Sequence, residues 1–268
     1  MKTKIDGLEV IHKERYLKEV NILKFIFKDI VSLVNKLWGF EKKSKIVVYI
    51  TKSSTKFIFY TLPTYKKILL LLIFPILYIS TKKHLPRWGG ITYKRDNINF
   101  IMAKPIEVYS NIESGIGKMV YKRIRKNETI YKISICLCIV DTFSSSFRLP
   151  LWIKEGIKIV TVEKIIGKQL VKNDSLFLLK EKTGQTINCI TINEKDNDIM
   201  LAYNYVKGYW TVRYLEENYP GFLKETFKEY KGEEIVEQIR LKLGLNHESF
   251  WEKLDELLYE SYKHLLQN

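Results

Sequence analysis

The chain has 268 residues, of which 46% are hydrophobic and 28% charged, so it can build a sizeable core and does not read as disordered. Its formal net charge of +15 favours attraction to phosphate-rich or anionic-lipid partners. We expect this excess, nearly all lysine, to be spread along the chain as a matter of composition, which argues against a specific nucleic-acid partner.

The first 44 residues are predicted to form an N-terminal helical segment ahead of a main domain at 45–268. Residues 1–18 carry charges of both signs and no apolar run, so we do not expect a secretory signal there. Apolar residues at spacings of three and four predict a helix from Tyr16 to Trp38, closed by Gly39. The β-branched run Lys45–Ile50 predicts a strand.

An unbroken apolar run, Ile68–Ile79, lies between two pairs of lysines. It is shorter than the roughly 20 residues that a membrane-spanning helix needs, and Pro75 would kink a helix there. We interpret it as a core helix, with contact to an anionic membrane surface as an alternative and a true span as a third possibility.

The remaining elements follow from periodicity and from helix-ending residues. A turn at 85–90 precedes a strand at Asn97–Ala103, and a hairpin is expected from Leu176–Lys180 and Ile187–Ile192. Helices are expected at 112–126, 129–143, 151–166, 202–217, 222–230 and 233–243, with a last helix capped by Asn246. The predicted fold class is therefore α+β, with a small N-terminal β-sheet and helices followed by a helical lobe.

Three stretches, in the same order along the chain, resemble the peptidase MA-like domains of gluzincin-type metallopeptidases. The first is Lys45–Ile50 with the later turn at 86–90 and the strand at 98–101. The second, Leu149-Pro150-Leu151-Trp152-Ile153-Lys154-Glu155-Gly156-Ile157, is similar to the signature Pro-x-Trp-Leu-x-Glu-Gly-Ala. The third, Tyr203–Leu215, carries Tyr-x-Lys-Gly. The resemblance covers about Lys45 to Ser261 and implies a zincin-like fold.

The resemblance implies roles for two residues. Glu155 matches the third zinc ligand of such enzymes, and Tyr205 matches the tyrosine that stabilises the transition-state oxyanion. The other two ligands and the general base would come from a His-Glu-x-x-His helix. The corresponding stretch, 131–141, contains neither histidine nor glutamate. No other histidine is placed to substitute; the four are His12, His84, His247 and His264.

Cysteines do not restore the ligand set. Cys136 and Cys138 are two residues apart, and such positions on a helix point to nearly opposite sides. Together with Cys189 they are expected to be small buried residues in a reducing compartment, because an odd set of three suggests no disulfide framework. A half-buried carboxylate at Glu155 without a metal needs a cation or hydrogen bonds, and Lys154 and Lys207 are candidate partners.

We therefore expect a catalytically inactive metallopeptidase-like protein in which Glu155 and Tyr205 are relic positions, with no cofactor and no bound metal. Its partner would be a peptide or protein in the former active-site cleft, where an edge strand at Ile98–Met102 pairs with an extended peptide. Two alternatives stay open: a basic, membrane-surface protein that docks through 68–79, and an active hydrolase with an unorthodox site. The expected location is cytoplasmic, with or without membrane association.

Overall fold

The structure is a computed structural model. It describes residues 1–41, 45–52, 54–62, 90–95, 97–106, 115–116, 119–120, 127–145, 147–181 and 198–267. The strands are β1 Lys2–Ile5, β2 Leu8–Ile11, β3 Lys45–Ile50, β4 Gly90–Arg95, β5 Ile98–Ala103, β6 Gly115–Ile116 and β7 Met119–Val120. The α-helices are α1 Leu17–Trp38, α2 Ser54–Thr61, α3 Asn127–Ser144, α4 Leu151–Ile166, α5 Leu176–Glu181, α6 Asp198–Asn218, α7 Phe222–Glu229, α8 Glu233–Lys242 and α9 Phe250–Tyr262.

The chain divides into two compact units. The first comprises Met1–Ile30 and Lys42–Thr142, and the second comprises Val31–Glu41 and Phe143–Asn268. The domain boundary predicted between residues 44 and 45 lies inside the first unit. Within that unit, β2 from the predicted N-terminal segment pairs in parallel with β3, and the Glu9 carboxylate binds the Lys45 ammonium at 2.9 Å.

The net charge is divided very unevenly between the units. The first carries 26 lysines and arginines against 10 acidic residues, a net +16. The second carries 19 against 20, a net −1. The expectation that the basic excess is spread along the chain is therefore wrong, because the first unit holds all of it.

The first unit contains a five-stranded mixed sheet in the order β1-β2-β3-β5-β4. Strands β2, β3 and β5 are parallel, while β1 and β4 are antiparallel to their neighbours. Because β5 lies between β3 and β4, the prediction that Ile98–Met102 is an edge strand is wrong. The outermost strand on this side of the described sheet is β4.

Apolar side chains are buried on both faces of this sheet. On one face Val47, Phe100 and Met102 pack together with Phe57 of α2. On the other face Val10, Val48 and Ile101 are fully buried. Burial of each such side chain stabilises the fold by about 1.5–3 kcal/mol. The α1 stripe predicted from the sequence is also buried: Val20, Leu23, Phe27 and Ile30.

The architecture confirms an α+β class with a small N-terminal sheet followed by helices. The helix α4 begins directly after Pro150 and ends at Gly167, whose φ of +65° suits glycine. Among the described residues, no helix is both long and apolar enough to cross a membrane. The run at 68–79, the turn at 85–89, the strand at 187–192 and Cys189 lie outside the described residues.

Three local predictions are wrong. Instead of a helix, 115–116 and 119–120 form a two-stranded antiparallel sheet. Leu176–Lys180 lies in helix α5, where Leu176 and Leu179 are buried and Phe177 is exposed, a spacing of three rather than two. Asn246 does not cap the last helix, which starts at Phe250; its side chain accepts a hydrogen bond from the Glu248 N–H instead.

Candidate functional site

The two helices that carry the predicted site residues, α4 and α6, cross in backbone contact. A Cβ built on Gly208 would lie 1.9 Å from the carbonyl oxygen of Trp152. A Cβ built on Gly156 would lie 2.2 Å from the carbonyl oxygen of Gly208. Real Cβ atoms do not approach other atoms so closely, so only glycine fits at either position. The residues next to these glycines therefore flank a crossing at which the two helix backbones touch.

One of these residues is Glu155, which forms an ion pair on its own helix. The Lys158 ammonium donates a hydrogen bond to Glu155 Oε1 at 2.7 Å, and both side chains are only 15% exposed. The spacing of three residues puts both groups on one face of α4. The cation that balances Glu155 is therefore Lys158. It is neither of the two candidates predicted from the sequence, Lys154 and Lys207.

The other predicted residue, Tyr205 of α6, lies beside this pair. Burial raises the pKa of Tyr205, the negative charge of Glu155 raises it further, and the positive charge of Lys158 lowers it. Glu155 and Lys158 are therefore close enough to Tyr205 to influence its pKa, and the phenol stays protonated at neutral pH. We call these three residues the Glu155 cluster.

A second, fully buried polar cluster joins α6 to α9. The Lys207 ammonium lies 3.0 Å from Asp255 Oδ1, and both side chains are 0% exposed. The Tyr203 hydroxyl donates to the other carboxylate oxygen, Oδ2, at 2.5 Å. The Lys207 ammonium also lies 4.9 Å from the ring centroid of Trp251, a cation–π distance. Lys207 is therefore committed to Asp255, so the prediction that it could balance Glu155 fails.

Buried ion pairs of this kind fix geometry more than they add stability, because desolvation offsets most of their attraction. Burial and the hydrogen bond to Asp255 both raise the pKa of Tyr203, so its proton stays on the phenol. The cluster fastens the Tyr-x-Lys-Gly stretch of α6 to the C-terminal helix. It leaves Lys207 no role as a solvent-accessible base.

A third network surrounds Arg213 of α6. The Tyr209 hydroxyl donates to Glu163 Oε2 at 2.9 Å, and the Arg213 guanidinium donates to the Tyr209 oxygen at 3.1 Å. Arg213 also binds Glu217 at 2.8 Å, and the Tyr262 hydroxyl donates to the same carboxylate at 2.6 Å. No sequence motif signals this network, because its partners come from three separate helices.

The helix expected to hold the zinc ligands is α3, and the residues present do not fit the metal. Its inward side chains are apolar or thiol: Tyr131, Ile135, Cys136, Ile139 and Val140 are all at most 1% exposed. Burial raises the pKa of Cys136 to about 12, which keeps it a neutral thiol. Among the described residues, no three His, Cys, Asp or Glu side chains are placed to bind a metal together.

Histidines give no replacement set in the described part of the chain. His12 is buried and bonds through both ring nitrogens, to Thr3 Oγ1 and to the Lys13 carbonyl oxygen, each at 2.9 Å. His247 is exposed and lies 3.8 Å from Glu237. His84 lies outside the described residues.

The fold and the Glu155 cluster define an α+β protein with a paired carboxylate and lysine at the crossing of two helices. Compared with models of known protein families and with curated proteins, the chain matches none.

Proposed function

We propose that this chain is a gluzincin-like protein of zincin-type fold that does not cleave peptides and acts instead as a peptide- or protein-binding module. The proposal rests on the residue-by-residue resemblance and on one observation that bears on it. The carboxylate at the relic ligand position, Glu155, already has a cation within 2.7 Å, the Lys158 ammonium.

This ion pair matters because a ligand carboxylate in such an enzyme needs its charge balanced by the metal. Here a covalently attached lysine, one helical turn along α4, supplies that charge permanently. A lysine ammonium cannot activate water as a metal does. Glu155, Lys158 and Tyr205 keep hydrogen bonding and proton transfer, which by themselves do not supply the metal-activated water of the family chemistry.

A general base is also missing from the expected position. Helix α3 offers two acidic side chains, Glu128 and Asp141, at its two ends. Glu128 binds Lys132 at 2.9 Å and Lys18 at 3.2 Å, and Asp141 accepts a hydrogen bond from Thr92 at 3.1 Å. Neither lies at the centre of the helix, where a family-like base would stand.

Peptide binding needs no metal, because an extended peptide can add to the edge of a sheet through backbone hydrogen bonds. The described sheet ends in β1 on one side and in β4, Gly90–Arg95, on the other. Because β4 is the neighbour of β5, it replaces Ile98–Met102 as the proposed docking strand. Alternate side chains of β4, such as the exposed Tyr93, would set the sequence preference of a bound peptide.

The absence of peptidase activity is tested by measuring zinc per purified chain and hydrolysis of a mixed fluorogenic peptide library, with and without added zinc. We expect less than about one tenth of an equivalent of zinc per chain, as for a protein without a zinc site. The rate of peptide hydrolysis should equal the rate in buffer alone. One tightly bound zinc per chain, with hydrolysis that a chelator and Glu155→Gln both abolish, would overturn the proposal.

Peptide binding is tested separately, on an array of immobilised decapeptides followed by amide hydrogen exchange. A peptide selected from the array should slow exchange in Gly90–Arg95, because it would cover the outer backbone of β4. The variant Tyr93→Ser should change which peptides bind, whereas Phe177→Ser, an exposed aromatic in the second unit, should not. Protection that appears only outside β4 would refute the docking strand.

A further inference from the structure

The outward side of α1 combines lysines with exposed apolar side chains. Leu17, Asn21, Lys24 and Lys28 follow one another at spacings of four, three and four, which places them on one face of the helix. Phe25 lies on the same side and is 75% exposed, and Leu17 is 45% exposed. We call Leu17, Lys18, Asn21, Lys24, Phe25 and Lys28 the α1 outer face.

The opposite side of α1 is buried, so this helix is held firmly and cannot turn its apolar stripe outward. The exposure of Phe25 is therefore a property of the folded molecule and not of a loose terminus. Among the described residues, neither Lys24 nor Lys28 has an ion-pair partner, while Lys18 binds Glu128 at 3.2 Å. Two acids border the face, Asp29 and the Glu128 that binds Lys18, against its three lysines, so its local charge stays positive.

We propose that the α1 outer face docks the first unit on a membrane surface rich in anionic lipids. Charge complementarity argues for this partner, because the face lies on the unit that carries a net +16. The apolar side chains favour an anionic lipid surface over a nucleic acid as the partner. Phe and Leu beside lysines suit the boundary between headgroups and acyl chains, whereas a nucleic-acid backbone offers Leu17 nothing to bury against.

In the docked state the lysine ammonium groups of the α1 outer face contact lipid phosphates and carboxylates while Phe25 enters the headgroup region. The docking does not depend on peptide binding or on the run at 68–79. It uses a helix that is already folded without lipid, so binding requires ordering of the exposed side chains but not of the backbone.

The test is flotation of the full chain with vesicles of phosphatidylcholine containing 30% phosphatidylserine, against vesicles of phosphatidylcholine alone. The parent should float with the anionic vesicles only, and less so when salt is raised to half molar. Lys24→Gln with Lys28→Gln should weaken binding about 25-fold, since one lysine near such a surface contributes about fivefold. Phe25→Ser should weaken it about tenfold or more.

Matched controls come from the second unit. Lys168→Gln with Lys172→Gln removes the same charge from exposed positions, and Phe177→Ser removes an exposed phenylalanine. Both should float as the parent does. Circular dichroism and the melting temperature should be unchanged in the Phe25 variant, because this side chain packs against little.

Three results would overturn the proposal. The first is no flotation of the parent with anionic vesicles. The second is flotation that the α1 variants leave unchanged, which would assign membrane contact to another part of the chain. The third is binding of duplex DNA or single-stranded RNA that the α1 variants weaken while vesicles do not compete, which would identify the face as a nucleic-acid surface.

Discussion

Replacing Gly208 by alanine is the sharpest test of the α4–α6 crossing. In an ordinary helix this change is favourable by about 1 kcal/mol, because alanine is the better helix former. Here the new methyl carbon would lie 1.9 Å from the Trp152 carbonyl oxygen and 2.7 Å from its carbonyl carbon. Both are backbone atoms, so no side-chain rotation relieves the overlap.

The loss of stability expected for Gly208→Ala follows from how far the two helices must move apart. Contacts of a Cβ below 3.0 Å do not persist, so the helices must separate by roughly 1 Å at the crossing. Overpacking costs about 1–3 kcal/mol when side chains can adjust, and rigid backbone places this site at or above the upper limit. We expect a net loss of about 2–3 kcal/mol after the helix preference of alanine is subtracted.

Urea unfolding followed by tryptophan fluorescence measures this loss, because Trp38, Trp152, Trp210 and Trp251 all belong to the second unit. The paired variant Gly208→Ala with Trp152→Phe should not recover stability, since the overlap involves the Trp152 backbone and not its ring. A Gly208→Ala chain as stable as the parent, or more stable, would refute backbone contact between α4 and α6.

Three further predictions follow from buried groups. Lys207→Met should lower the free energy of unfolding in urea by about 3–5 kcal/mol, because it leaves Asp255 buried without a cation. Adding Asp255→Leu should restore most of this loss, and additive losses from the two changes would show that the residues do not form a pair. Placing histidines at Ser134 and Cys138 should lower the melting temperature without conferring tight zinc binding, because Cys138 is buried; a variant that binds zinc tightly and melts no lower would show an open site. Stability should fall as pH rises above about 10, because the pKa of several buried tyrosines is higher in the folded than in the unfolded chain. Their stabilising contribution is complete below the unfolded pKa. Each tyrosine then loses about 1.4 kcal/mol of it per pH unit as the pH rises towards the folded pKa. These tyrosines are Tyr203, Tyr209 and Tyr262, and urea titrations at pH 9, 10 and 11 that give equal stability would contradict the assignment.

Elements with local end signals could be predicted from the sequence. The helix α4 lies between Pro150 and Gly167, as the fixed φ of proline and the positive φ of glycine require. The sequence pattern predicts neither β1 nor β2, because four residues are too few to show a periodic pattern. The sequence predicts a strand where helix α5 lies, because six residues are too few to separate a period of three from a period of two.

In the candidate site, contacts between residues close in sequence could be predicted, whereas contacts between distant residues could not. The pairing of Glu155 with Lys158 could be predicted from the sequence, since residues three apart on a helix share a face, whereas immediate neighbours such as Glu155 and Lys154 do not. The pairing of Lys207 with Asp255 could not, because 48 residues separate them and only tertiary packing brings them together.

The crossing of Gly156 and Gly208 also constrains how this sequence can vary. A crowded side chain can usually be accommodated by a smaller one opposite, but glycine is already the smallest residue. No compensating substitution therefore exists for a side chain added at either position. A related chain that lacks one of these glycines must hold the two helices further apart, and with them Glu155 and Tyr205. The glycine pair is thus a stricter criterion for recognising relatives with this site geometry than the carboxylate itself.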